Sequence, residues 1–290
     1  MKKIIILIPV FNDWESLKRL IKEINETIKD EKNFLFECLI INDASTQDPP
    51  KLIKPKFINS LKLLNMRENK GHARCNAFGI RYINQNENFD YLILMDGDGE
   101  DRPIEIKNLV NKIKNKPEIS VVAKRIKRSE GIFFRFLYYM HKLITFMFTG
   151  EKINFGNYSC LNKNDTQIIS SKASLWSSYS GTVKRYIKNL DTINSTRGIR
   201  YFGPSKMSLY KLFIHSLSII AVFKLQVFLR SIFIIVILIY VGNYIGPISI
   251  LFKFLVIIFC VAVFFASLRE NQKKLIESQE NLINVKNIPH

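Results

Sequence analysis

Tyr91-Leu92-Ile93-Leu94-Met95-Asp96-Gly97-Asp98-Gly99-Glu100-Asp101-Arg102-Pro103 is an apolar run that stops at two carboxylates, followed by two more acids and a proline. A buried strand with this sequence carries Asp96 and Asp98 to the rim of a sheet. Alternate residues of an extended chain point the same way, so both carboxylates face one pocket. Closely spaced carboxylates repel unless a cation sits between them, and their oxygens suit Mg²⁺ or Mn²⁺. A strand running into a solvated acidic turn has the same pattern, so the flanking sequence must decide.

The chain has 290 residues, room for one large domain or one domain with appendages. Its formal net charge of +18 is spread along the whole length, which implies anionic partners such as nucleic acid, acidic headgroups or phosphorylated small molecules. Cys38, Cys75, Cys160 and Cys260 have no metal-type spacing and suggest a reducing compartment. The apolar run after Met1-Lys2-Lys3 is short, contains Pro9 and lacks a small-residue cleavage site, so it reads as a buried strand rather than a signal peptide.

Working outward from the acidic stretch, residues 3–10 form a continuous apolar run of the parallel-sheet kind. Phe11-Asn12-Asp13 makes a turn, and residues 15–28 have helical periodicity. A second strand, 34–41, ends at Asn42-Asp43-Ala44-Ser45-Thr46. A third spans 61–65, and Asn69 to Arg74 opens a helix to about residue 83. After the strand ending at Asp96, Pro103 suits the first turn of a helix over 103–115, and 120–123 is a fifth strand. This alternation predicts a doubly wound, mainly parallel sheet, whose ligands bind outside the carboxyl ends of the strands. The loops at Pro9–Asp13, Asn42–Thr46 and Asp96–Asp101 all lie there, so they converge on one crevice.

A basic section follows: Lys124, Arg125, Lys127 and Arg128, then an aromatic amphipathic segment from Phe133 to Phe148. This helix suits a membrane surface, or equally a packed helix with a solvated basic face. Residues 151–206 are rich in Ser, Asn and Gly and indicate only a helix near 182–190. The stretch 207–223 is apolar but interrupted by Lys211 and His215, which reads as interfacial. Residues 226–241 and 248–267 are apolar runs joined by Gly242-Asn243-Tyr244-Ile245-Gly246-Pro247, each approaching the roughly 20 residues that span a bilayer. Arg230, the one charge in the first run and close to its start, and Arg269, Lys273 and Lys274 after the second place both flanks on the cytoplasmic side. Lys253, near the second helix start, snorkels toward the far interface or faces a neighbouring helix.

The order of motifs resembles the family-2 glycosyltransferases of GT-A fold, in particular the dolichol-phosphate mannosyltransferase and bactoprenol glucosyltransferase branch. Ile8-Pro9-Val10-Phe11-Asn12 resembles the opening strand and turn, and Asn42-Asp43-Ala44-Ser45-Thr46 the Asp-Asp-Gly-Ser-Thr loop. Asn69, Gly71, Ala73, Arg74 and Asn76 resemble the next helix start, Asp96-Gly97-Asp98 the Asp-x-Asp metal motif, and Glu100-Asp101-Arg102-Pro103 the Gln-Asp-Pro-Pro after it. Phe155-Gly156-Asn157-Tyr158-Ser159 resembles Gly-Asp-Phe-Arg, and Gly203-Pro204-Ser205-Lys206 resembles Gly-x-Ser-Lys. Asn42, Ala44, Glu100 and Ser159 depart from those patterns and put nucleotide and acceptor identity in doubt.

The resemblance implies an α/β chain: a Rossmann-like GT-A catalytic domain over 1–206 including the amphipathic segment 124–150. An interfacial helix over 207–225, a transmembrane hairpin over 226–268 and a cytoplasmic tail over 269–290 follow. It implies a UDP- or GDP-linked sugar donor contacting Pro9, Phe11, Asp13, Asp43, Gly71, Arg74 and Asp96. Asp96 and Asp98 hold the Mg²⁺ or Mn²⁺, with Glu100 as a third ligand. Arg125, Arg128, Arg135, Ser205 and Lys206 are candidates for the phosphates, because arginine offers bidentate contacts.

The favoured acceptor is a polyprenyl phosphate, and the enzyme a multi-pass protein of the cytoplasmic membrane with its catalytic domain facing the cytoplasm. A Gln-x-x-Arg-Trp motif, usual in members that extend polysaccharides, is missing. Relatives also imply a homo-oligomer. A rival acceptor is a hydroxyl of a lipid-linked glycan, with Asp101 as base. A membrane-anchored basic protein binding nucleic acid or anionic lipid in a degenerate crevice is disfavoured, because Asp96 and Asp98 would repel phosphate without a metal; nucleic acid is not an expected partner.

Overall fold

The computed structural model describes residues 1–127, 132–204 and 208–290. The chain opens with β1 (Lys2–Val10), α1 (Trp14–Ile28), β2 (Phe34–Asn42), β3 (Ser60–Met66), α2 (His72–Asn86) and β4 (Tyr91–Leu94). A 3-10 turn (Pro103–Glu105) leads into α3 (Ile106–Asn115), then β5 (Ser120–Lys127), α4 (Ile132–Thr149), β6 (Phe155–Asn162) and α5 (Lys163–Ser170). A second 3-10 turn (Ala173–Trp176), α6 (Tyr179–Tyr186) and β7 (Leu190–Thr196) complete this part. The rest is α7 (Leu209–Ala221), α8 (Lys224–Ile245), α9 (Ile248–Ser267), α10 (Gln272–Glu277), a 3-10 turn (Ser278–Asn281) and β8 (Leu282–Asn287).

The strands form one sheet in the order β7-β5-β6-β4-β1-β2-β3-β8. β1 pairs parallel with β2 and β4, as do β2 with β3 and β5 with β7. β6 runs antiparallel between β4 and β5. Seven consecutive residues of β1, Ile4 to Val10, are buried because both faces of the sheet are covered. Ile4, Ile6 and Ile8 pack toward α1 and α3, while Ile5 and Leu7 pack toward α2 and α6. Fully burying one such isoleucine stabilises the fold by about 1.5–3 kcal/mol. Gly79 of α2 sits so close to the sheet that a Cβ would lie 2.4 Å from Ile41 and 2.7 Å from Leu7.

A third core cluster joins α4, α7, α8 and α9 through Phe148, Leu217, Ile220, Val227 and Val263. α8 and α9 are each long and apolar enough to cross a membrane. Their large apolar side chains are mostly exposed, among them Phe233 at 65% and Ile250 at 65%. Such continuous apolar surface marks a region that water does not normally cover.

The structure extends the sequence reading in several places, beginning with β6 and α5 in the stretch 151–206, where only one helix is expected. α6 ends at Tyr186 rather than near 190, and a strand follows. β7 is polar along most of its length and buries little beyond Ile193 and Ser195, so its identity comes from pairing with β5. β5 runs past Ala123 to Lys127, carrying Lys124 and Arg125 along a strand. The C-terminal half of α7, Leu217 to Ala221, is buried, while Leu209, Tyr210 and Phe213 are exposed. Residues 269–290 fold back, and β8 pairs antiparallel with β3 and covers an otherwise open sheet edge.

Candidate active site

The crevice is stitched together from the carboxyl ends of β1, β2 and β4. Asn12, in the left-handed region at φ 48, uses its side-chain oxygen to accept the Thr46 and Gln47 amides at 2.9 and 3.1 Å. Its amide nitrogen donates to the Thr46 hydroxyl, which holds the Pro9–Asp13 turn against the 42–46 loop. Pro9 is buried and Phe11 is 38% exposed at this rim. Asp43, only 4% exposed, spends both carboxylate oxygens on the next loop, accepting the Lys70 and Gly71 amides at 2.9 Å each. Burial raises its pKa, and the two amides oppose that rise.

Three of the departures from the family pattern, Asn42, Ala44 and Ser159, have local surroundings that the structure shows. Asn42 donates to the Asn65 side chain, which donates to Asn284, so an amide ladder crosses β2, β3 and β8. Ala44 sits at φ 55, a left-handed conformation that costs a residue with a Cβ roughly 1–2 kcal/mol. Ser159 is fully buried and hydrogen-bonds to the Tyr179 hydroxyl at 2.5 Å, leaving no room for the arginine of the related motif.

Asp96 and Asp98 emerge just beyond β4. One Asp96 oxygen lies 3.1 Å from His72 Nε2 and accepts a hydrogen bond from the Asn157 amide at 3.1 Å. Burial opposes ionisation of Asp96, but His72 and Asn157 overcome it and hold the carboxyl well below the usual range. The reciprocal effect on His72 exceeds its own burial and raises its pKa. Asp101, 4% exposed, accepts the Asp96 amide at 3.0 Å, and burial with the Asp96 charge pushes its carboxyl up to about 7. Burial and the Asp96 charge also raise Asp98. Arg125 of β5 points at Asp101, 3.8 Å away.

The loop after β7 closes over these acids. Arg200 donates to Asp98 at 2.8 Å and also pairs with Asp13. Arg197 pairs with Glu100, the Gly198 amide donates to the Glu100 carbonyl, and the Tyr201 amide donates to the Asp98 carbonyl. The Tyr201 hydroxyl donates to Glu23 of α1 at 2.5 Å. Glu100, expected as a third metal ligand, is thus held by a guanidinium. Among the described residues no group of three or more His, Cys, Asp or Glu side chains is arranged to hold a metal. The fit of a divalent ion rests on Asp96 and Asp98: two hard oxygen donors in a crowd of carboxylates whose repulsion a cation would relieve.

Of the residues expected at this site, Pro9, Phe11, Asp13, Asp43, Gly71, Asp96, Asp98, Glu100, Asp101 and Arg125 lie along the crevice. Arg74 does not point at the acids; it lies over Trp176, 5.7 Å from the ring, in a cavity beyond Asp43. Arg128, Ser205 and Lys206 fall outside the described residues, as does the Arg135 side chain. Sequence reasoning missed His72, Arg197, Arg200 and His215. His215 of α7 is pushed down to about 4 by burial and then by His72 and His141, which places it near the same end of the sheet. Only a Gly-flanked basic loop hinted at Arg197 and Arg200, since Arg200 is 102 residues from Asp98.

Comparison with known proteins agrees with this architecture. A 115-residue stretch is 23% identical to an uncharacterized protein of Methanocaldococcus jannaschii, covering 38% of this chain and 47% of that one. The chain thus spans about half the length of the curated relative it matches. Glucosyl-3-phosphoglycerate synthase from Mycobacterium tuberculosis, solved with Mn²⁺, uridine diphosphate and phosphoglyceric acid, superposes with a TM-score of 0.53 at 13% identity, over 78% of each chain. A mannosyltransferase from Pyrobaculum calidifontis, solved with GDP-mannose and Mn²⁺, has a TM-score of 0.47 at 12% identity, over 92% of this chain and 87% of its own. At 13% identity the likeness to the mycobacterial synthase shows the fold alone, a GT-A fold. The Glycosyl transferase family 2 model matches residues 5–178, the stretch that supplies the three converging loops, and the chain belongs to that family.

Proposed function

We propose that this chain is a nucleotide-sugar glycosyltransferase of the dolichol-phosphate mannosyltransferase and bactoprenol glucosyltransferase branch. It moves one sugar from a UDP- or GDP-linked donor to a polyprenyl phosphate at the cytoplasmic face of a membrane, with inversion at the anomeric carbon. The observation that carries this reading is the continuity between crevice and hairpin. α4 follows the strand that carries Arg125, and its Phe148 packs on Phe259 of α9 with ring centroids 4.3 Å apart. α7 packs its buried end against the same hairpin while bringing His215 toward His72. Phe136, Tyr139 and Leu143 on α4 and Phe213 on α7 are exposed, so a prenyl tail leaving the crevice meets apolar side chains.

The donor's diphosphate lies against Asp96 and Asp98. Mg²⁺ or Mn²⁺ held by these two carboxylates supplies Lewis-acid stabilisation of the leaving diphosphate. The Mn²⁺ and uridine diphosphate of the mycobacterial structure support that choice of ion and donor class. Arg200, which bridges Asp13 and Asp98, exchanges a carboxylate for a phosphate oxygen when the donor enters. His72 and Asn157 keep Asp96 ionised and oriented. A phosphate monoester, with a second pKa of about 6, is already an anion near neutral pH and needs alignment rather than a general base. Asp101 is nearly buried and engaged with the Asp96 amide, which favours a role in shaping the loop over one as base for a hydroxyl acceptor.

The test is to incubate membranes holding the protein with a panel of labelled nucleotide sugars and polyprenyl phosphate, then extract the lipid. Label should enter the lipid phase with one donor. Label that stays in the aqueous phase with every donor refutes the proposal.

A further inference from the structure

Beyond the end of α9 the chain turns back through α10 and encloses a cavity of about 650 Å³ against α2 and the Ala173–Trp176 turn. Arg67, Arg74, Arg269 and Lys274 line it, with Phe78 and Trp176 as apolar wall. These cations come from separate parts of the chain: the end of β3, α2, the end of α9 and α10. The acids of the same wall, Asp43, Glu68, Glu277 and Glu280, offset these cations in part, Asp43 acting on Arg74 and Glu68 on Arg67. None forms an ion pair with them among the described residues. Asp43 gives both oxygens to backbone amides, Glu68 pairs with Lys70, and Glu277 pairs with Lys273. Glu280 forms no ion pair with any of the four, and none of the four is in an ion pair among the described residues.

Two of the cations oppose each other. Arg74 is half-buried over Trp176, and its pKa is lowered by burial and then by the positive charge of Arg269, with the Asp43 charge opposing both. Two guanidiniums facing one cavity repel each other, and an anion between them turns that repulsion into attraction. Arginine also matches phosphate oxygens with paired N–H groups.

The cavity's position selects the source of that phosphate. Arg269 follows α9 directly, and Leu268 beside it is 60% exposed, at the point where the apolar surface of the hairpin stops. Basic residues immediately beyond the end of a membrane helix attract anionic headgroups, and Arg269 and Lys274 occupy that position here. We infer that this cavity, which adjoins the crevice at Asp43, binds the phosphate of an anionic lipid headgroup. The inference rests on the membrane insertion of α8 and α9 proposed above, and not on the identity of the sugar acceptor.

The experiment follows the melting temperature of the detergent-purified full chain with short-chain lipids below their micellar concentration. Dihexanoyl phosphatidylglycerol should raise it by several degrees, as any ligand of the folded state does. Dihexanoyl phosphatidylcholine and inorganic pyrophosphate should not. The Arg74→Gln/Arg269→Gln variant should lose the response, while Lys286→Gln, on the exposed outer edge of β8, and Asp98→Ala should keep it. Lys274→Gln should weaken it and serves as the reading if the double variant does not fold. An equal rise in parent and variant, a rise with phosphatidylcholine, a rise with pyrophosphate alone, or no rise at all would each overturn the site. Vesicle flotation reads membrane insertion separately, so a chain that floats but ignores phosphatidylglycerol condemns the cavity and not the hairpin.

Discussion

The crevice and the α8–α9 hairpin are opposite solutions to solvent contact. In the crevice nearly every charged side chain is matched inside the chain: Asp96 by His72, Asp98 and Asp13 by Arg200, Glu100 by Arg197. The hairpin instead turns large apolar side chains outward with little of its length covered. Matched charges can be rearranged by a ligand that brings its own, whereas bare apolar surface needs to be covered by protein or lipid. The two regions should therefore fail independently.

Asp98→Ala gives the sharpest test of that independence. Loss of one carboxylate from the expected ion removes several kcal/mol of charge stabilisation, so sugar transfer should fall about 100-fold or more. Vesicle flotation of the same variant should match the parent; a parallel loss of flotation breaks the separation. The converse change is Phe233→Lys, near the middle of α8. A lysine at a helix centre costs roughly 3 kcal/mol on insertion. A larger fraction of this variant should wash from membranes at alkaline pH, while metal-dependent hydrolysis of the donor in detergent stays at the parental level.

Smaller effects sharpen the contrast within the sheet domain. Gly79→Ala pushes a methyl group into Ile41 and Leu7 and should destabilise the domain by about 1–3 kcal/mol in denaturant titration. Ala44→Gly relieves the left-handed strain at the crevice and should stabilise it by up to about 1 kcal/mol in the same assay. An unchanged midpoint for Ala44→Gly would mean that the Asn42 and Asn12 hydrogen bonds, not the backbone, set that loop.

The sheet was legible because its signals are local. Apolar runs such as residues 3–10 and helical stripes such as Leu17, Leu20, Ile21 and Ile24 need no partner to be recognised. The polar strands carried no such signal. β7 reads as loop until β5 pairs with it, and β8 reads as tail until β3 does. The site divides the same way: Asp96, Asp98 and Asp43 stand out at strand ends, while Arg200 acquires meaning only by lying against Asp98 and Asp13.

By itself, then, the sequence determined the succession of strands and helices in the first half, the three loops at one rim and the two long apolar helices, because periodicity and hydrophobic length act over a few neighbouring residues. Tertiary structure alone decided which cation faces which acid. It turned Arg74 away toward Trp176, set Arg197 on Glu100 and joined Asn65 to Asn284 across 219 residues. Such contacts depend on where the whole chain folds back, and no short-range pattern encodes that.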